Sequence, residues 1–261
     1  MTKSLKRTAA VICAMDSEAV HLRRRLTDAR EEPIGRCRRT RGRIGVTAVD
    51  LIVSGIGLIN AAAAASALCA LDPPTVLLNY GCAGAHRDDL RPGDVILAER
   101  IMHVAAHVIL PNGERQPTGF DYHVGEKRTQ TEAITADRAL LDQARAAADR
   151  AEIPCWPGSD EPPRVLVGTV ASADVWTQHG ESIRTMHDRY GSLCEEMEAA
   201  AAAQVAAMYG IPFLAIKDIS NNELRTATAL TRPGWPSLDD LGDQLGLRAA
   251  LVVEVLIAAL D

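Results

Sequence analysis

The chain has 261 residues, 47% of them hydrophobic and 24% charged, with a formal net charge of −6. That length and apolar content suit one large α/β domain over residues 1–261 and exclude a disordered or fibrous chain. Basic residues are scattered among acids, which leaves no electrostatic footprint for a nucleic acid or an anionic membrane and favours a compact small-molecule site.

In chain order, apolar runs of strand length alternate with alanine-rich helical stretches, the pattern of an α/β protein with a largely buried central sheet. Residues 9–15 follow basic residues as the core of a signal peptide would. Asp16 and Glu18 come at once, however, so the run reads as a first core strand. Helix is expected over 17–27, strand over 45–53, helix over 60–71 and strand over 75–79. Strands follow at 94–98 and 165–171, helices at 183–189 and 199–209, a strand at 213–217 and a closing helix at 241–259. Residues 111–131 lack periodicity and suit a lid or interface element; 154–163 and 221–238 read as further long loops.

The six cysteines are far apart and lack zinc-ligand spacing, so free thiols in a reducing cytoplasm are expected. No apolar stretch has the length of a membrane span; even 251–260 is short and interrupted by Glu254.

Five short stretches carry polar groups at strand ends. Glu18 fits the first turn of a helix, where Asp16 would cap and Glu18 would complement the dipole. Ser54, Gly55, Ile56 and Gly57 end a strand before a helix, a place where bare backbone amides can approach a ligand, although a plain turn also explains them. Residues 79–84, Asn-Tyr-Gly-Cys-Ala-Gly, read as a small-residue turn that includes Cys82, Ala83 and Gly84. Glu195, Glu196, Met197 and Glu198 stand where a short strand gives way to a helix. They read either as a solvated helix start or as an inward Glu198 that accepts both hydroxyls of a vicinal diol over Met197. Ser220 and Asn221 fall in a turn-forming stretch after Lys217 and Asp218.

Each stretch has a local explanation; their order along the chain carries more. AMDSE, SGIG, NYGCAG with RPGDVILAE, SADVW, EEMEA and IKDISN span about residues 9–222. In that order and spacing the chain resembles the nucleoside phosphorylase and nucleosidase superfamily, particularly the methylthioadenosine/S-adenosylhomocysteine nucleosidases and futalosine hydrolase. The resemblance implies a mixed, twisted central sheet wrapped by helices and a purine nucleoside as substrate. It makes Glu18 the base that activates water and gives the ribose hydroxyls to Glu198, with Met197 against the sugar and Glu196 beside it. Trp176 would stack on the base, and Asn221 would face it. No metal or cofactor is implied; a homo-oligomer, dimer or larger, is.

Three departures from the family bear on the reaction. The family's phosphorylases bind phosphate with an arginine and a serine where this chain has Asn79 and Cys82. Without that charge partner, water is the better nucleophile. Adenine-cleaving members have an aspartic acid at the position of Asn221. An amide supplies no proton but both donates and accepts hydrogen bonds, which favours a 6-oxopurine or a modified, futalosine-like nucleoside. An adenine substrate with Asp218 or Asp174 as proton donor stays open, as do a phosphorylase and a non-catalytic nucleoside-binding protein. Thirdly, residues 102–123 match the methylthioadenosine branch thinly, which leaves the 5′ substituent undefined.

Overall fold

A computed structural model describes residues 8–35, 37–226 and 241–260. The chain opens with β1 (Thr8–Cys13), α1 (Asp16–Arg23), the hairpin β2 (Thr27–Ile34) and β3 (Cys37–Ile44), then β4 (Thr47–Val53) and α2 (Leu58–Leu71). β5 (Val76–Ala85) and β6 (Val95–His103) follow, then two small hairpins, β7 (His107–Ile109) with β8 (Arg115–Pro117) and β9 (Phe120–Val124) with β10 (Lys127–Thr131). The remainder is β11 (Ala133–Thr135), α3 (Arg138–Ala148), β12 (Val165–Ser172), α4 (Gly180–Tyr190), β13 (Ser192–Glu196), α5 (Ala199–Tyr209), β14 (Phe213–Asn221) and α6 (Leu247–Ala258).

The large sheet runs β11-β6-β12-β13-β5-β1-β4-β3-β2, and β14 lies between β5 and β6. Because β14 pairs with both, β5, β14, β6, β12 and β13 close into a ring. Ring strands are covered on both faces, which is why β14 is buried along its whole length. One apolar cluster packs α2 and α5 against the sheet, their alanines allowing close approach; the other packs α1, α3 and α6. The mixed, twisted sheet surrounded by helices is the expected fold class.

Several expected boundaries move. The first helix stops at Arg23, and residue 27 already begins β2. The hairpin of β2 and β3 was not expected, since its many charges disfavour strands. It survives at the sheet edge by pairing charges across the ladder, as where Glu32 faces Arg39. Residues 79–84 are strand rather than turn, and β14 continues to Asn221 instead of stopping at Lys217, because ring closure gives these small and polar residues ladder partners on β5. The expected loop 111–131 instead belongs to two small hairpins that together run from His107 to Thr131, their turns marked by Gly113 and Gly125 at φ +83° and +58°. The last helix begins only at Leu247, after Gly246 at φ +71°. Of the expected loop 221–238, Asn221 belongs to β14 and residues 227–238 lie outside the described residues. All six cysteines are free thiols, and no described helix is long and apolar enough to cross a membrane.

Candidate active site

One cavity opens where the ends of β5, β13 and β14 meet the starts of α1 and α5. Glu18, Cys82, Ala83, Gly84, Trp176, Glu196, Met197, Glu198, Ser220 and Asn221, all expected as site residues, line it together.

Glu18 enters from the first turn of α1 and is 2% exposed. Its Oε2 accepts the N–H groups of Ala14 and Met15 at 3.0 and 3.1 Å, and its Oε1 accepts that of Cys82 at 2.9 Å. The Met15 contact closes a capping box, a local role that does not compete with one in the cavity; the N-cap is Met15, and Asp16, expected to cap, is the first residue of the helix. Gly81 makes the seat possible: a Cβ there would lie 2.5 Å from Glu18 Oε1. Cys82 is no thiolate nucleophile, because burial and then the charges of Glu18 and Asp218 push its thiol well above the ordinary value.

Glu196 and Glu198 come from the junction of β13 and α5. The Glu196 carboxylate accepts the N–H groups of Glu198 and Ala199 at the start of α5, and Lys217 Nζ lies 2.7 Å from its Oε2. Glu198 accepts the Gly57 N–H at 3.0 Å and sits 3.7 Å from the same ammonium. Burial alone would drive Lys217 toward neutrality; Glu196, Glu198 and Glu18 outweigh it and hold the ammonium charged. Burial raises Glu198, Lys217 pulls it back and Glu196 pushes it up again, which brings it to about 7. Met197, between the two acids, faces the cavity. At pH 7 about half of Glu198 is therefore ionised, and in that form its oxygens can accept hydrogen bonds.

At the other end, Ser220 Oγ donates to Asn221 Oδ1 at 2.7 Å, and Asn221 Nδ2 donates to Glu223 at 2.8 Å. Trp176 and Val175 form the facing wall.

Other expected residues are placed elsewhere. Ser54 and Gly55 are outside the cavity lining, the Ser54 hydroxyl turned to the carbonyls of Cys13 and Gly55. Their neighbours serve instead, Ile56 at the wall and Gly57 through its N–H to Glu198. Asn79 is sealed in β5 with Nδ2 on the Ile12 carbonyl. Asp218 accepts the Gly246 and Arg248 N–H groups, 3.0 Å each, at the start of α6. Burial outweighs those bonds and the Arg248 charge and raises it to about 7. Asp174 accepts the Leu58 N–H at 2.7 Å. Neither aspartate lines the cavity. Sequence reasoning passed over Ala14, Met15, Val175 and Glu195 in the lining, and Lys217 behind it. Among the described residues no group of three or more His, Cys, Asp or Glu side chains is placed to hold a metal ion.

A ring-closed α/β sheet with paired carboxylates at its strand ends defines a class, and the chain belongs to the Phosphorylase superfamily, whose model matches residues 8–257. More particularly, it is 33% identical over 215 residues to a 5′-methylthioadenosine/S-adenosylhomocysteine nucleosidase of Geobacillus kaustophilus, covering 82% of this chain and 83% of the relative. A solved nucleosidase of the same name from Neisseria meningitidis, in complex with methylthio-immucillin-A, is 25% identical. It superposes with a TM-score of 0.74 over 98% of this chain and 100% of that one. A futalosine hydrolase from Helicobacter pylori shares the fold at a TM-score of 0.79, with 20% identity over 98% of this chain and 99% of that one.

Proposed function

We propose that the chain hydrolyses the N-glycosidic bond of a purine nucleoside, releasing free base and sugar, and that its preferred base is a 6-oxopurine. The enzyme class, an N-glycosyl hydrolase of purine nucleosides, is that of its relatives. The observation that carries hydrolysis over phosphorolysis is the cavity's charge. Four carboxylates, Glu18, Glu195, Glu196 and Glu198, line it, and among the described lining residues there is no arginine or lysine. Lys217 is committed to two of those acids. A phosphate dianion would enter against like charge with no partner, whereas water is accepted freely.

Bond breaking places positive charge on the sugar. Glu18, aimed by three backbone N–H groups, takes a proton from the attacking water, and Glu198 holds the 2′- and 3′-hydroxyls while its charge favours the cationic sugar. Asn221 meets the base by hydrogen bonds and supplies no proton. Asp218 and Asp174 are turned away from the cavity, so neither protonates a departing adenine.

The working unit is a homo-oligomer. Ile56 and Val175, 53% and 50% exposed at the cavity wall, and Ile59, 82% exposed on α2, are apolar side chains that a second subunit would cover beside the site. Sedimentation of the purified chain tests this, and a monomer at working concentration refutes it.

Incubation with inosine, futalosine, adenosine and methylthioadenosine, with and without phosphate, tests the reaction. Base release from at least one nucleoside is expected at the same rate in both conditions, and strict dependence on phosphate would make the chain a phosphorylase. Tight nucleoside binding without release over hours would make it a binding protein.

A further inference from the structure

Three residues on neighbouring strands stand in one row at the floor of the cavity. Glu195 on β13 pairs with Gly84 on β5, and Gly84 pairs with Asn221 on β14. Register partners on adjacent strands project to the same face of the sheet. The middle position carries no side chain, and a Cβ there would lie 3.5 Å from Asn221 Nδ2 and 3.8 Å from Glu195 Cγ. The row is therefore a slot floored by a glycine, with an amide on one side and a carboxylate on the other. The bare glycine leaves an opening between the two side chains to which one edge of a planar base can be presented. All three residues line the same cavity as Glu18 and Glu198.

Glu195 is not a solvated helix start. It is 9% exposed, its Oε1 accepts the Thr177 N–H at 2.6 Å, and its Oε2 lies 3.5 Å from Nε2 of the buried His86. A carboxylate offers about four acceptor sites, so Glu195 is anchored and still able to accept another N–H. Across the slot, the Asn221 amide is oriented by Ser220 and Glu223, and its nitrogen carries a second N–H besides the one given to Glu223.

We propose that Glu195 and Asn221 read the base as a pair, which makes Glu195 a specificity-determining residue for 6-oxopurines; the proposal rests on the nucleosidase reading above. The ring N1–H of a 6-oxopurine donates to Glu195, while Asn221 donates to O6. Adenine presents the opposite pattern, a bare N1 lone pair toward the carboxylate and an amino group toward the amide donor. Both contacts then turn from attraction to repulsion. A site built on such polar matching discriminates by orders of magnitude.

The test uses two substrate pairs that differ only in the base: inosine against adenosine, and 5′-methylthioinosine against 5′-methylthioadenosine. The wild type is expected to favour the 6-oxo member by about a hundredfold or more in kcat/KM. Glu195→Gln keeps the size and can turn a donor toward adenine N1. It is expected to lower kcat/KM for the 6-oxo member by about 10–100-fold and to raise it for the adenine member. An active Glu195→Gln variant with unchanged preference overturns the role of Glu195 and leaves the nucleosidase reading standing, and a wild type that prefers adenine overturns the role too. Should the wild type release no base from any of the four or from futalosine, the nucleosidase reading fails and binding of free bases decides the pair by calorimetry. Hypoxanthine bound by the wild type at least about tenfold more tightly than adenine upholds the pair, and equal binding overturns it. The same calorimetry decides if the variant does not fold.

Discussion

Lys217→Met removes the buried cation that, among the described residues, stands behind two cavity carboxylates, keeping nearly the same length of side chain. Lys217 Nζ stands 3.7 Å from Glu198 and 2.7 Å from Glu196, and the Lys217 and Glu196 side chains are each 1% exposed. Two unit charges at the Glu198 separation interact by about 4 kcal/mol at an effective dielectric of about 20, or about 3 pKa units. With lysine in place Glu198 sits at about 7, so its charged form is half present at neutral pH. In the variant it is expected to rise toward the lysine range and stay protonated. A protonated Glu198 loses acceptor capacity for the diol and its charge toward the sugar cation. The assay is kcat/KM against pH. The acid limb, expected near pH 7 in the wild type, should move up by as much as about 3 units, with activity at pH 7 down roughly a hundredfold or more and partly recovered at higher pH. Stability should fall by about 3–5 kcal/mol, because two carboxylates are left buried without their partner. Asp218→Asn is the control: Asp218 is also raised to about 7 but faces α6 rather than the cavity, so this variant should leave the limb in place. A Lys217→Met enzyme whose limb stays near pH 7 would refute the argument that Lys217 keeps Glu198 ionised.

Gly81→Ala tests the seating of Glu18. The new methyl would stand 2.5 Å from Oε1, so the carboxylate must leave its bond to the Cys82 N–H. Turnover should fall by about a hundredfold, with the fold intact by circular dichroism, and wild-type turnover would show that this seat is not needed. A third expectation concerns pH and stability together. The folded pKa values of Glu198 and Asp218 are raised to about 7, so the folded protein binds protons that the unfolded chain has already released. That contribution is full below about pH 4 and is lost as pH rises to about 7, at most about 3–4 kcal/mol for each group. The melting temperature should therefore be higher at pH 5.5 than at 7.5 while activity rises over the same interval; a melting temperature that rises with pH would contradict the raised values.

What the sequence disclosed was most of the set of residues that line the cavity rather than the geometry that joins them. Glu18 and Glu198 were legible through the ordered motifs AMDSE and EEMEA that hold them, since each residue taken alone has a sufficient local explanation. The ring was not legible. Residues 79–84 contain none of the β-branched residues that mark strands, and what keeps them extended is pairing with β14 more than a hundred positions later, which no local pattern reports. The same pairing hid the row of Glu195, Gly84 and Asn221. In a strand, successive side chains alternate in direction, and the two adjacent glutamates at the end of β13 take different anchors although both border the cavity. Glu196 goes to the start of α5 and Lys217, and Glu195 goes to the floor beside Gly84. Alternation of that kind is visible in sequence once the segment is taken as strand to its last residue. Read as the start of a charged helix, it conceals the acid that faces Asn221. The expected amide approach falls at Gly57 rather than Gly55 and serves Glu198: only at Gly57, φ +105°, does the N–H reach that carboxylate, and a Cβ there would stand 2.8 Å from Asp174 Oδ1. The glycine that matters is the one two acidic side chains approach, a property of the assembled site.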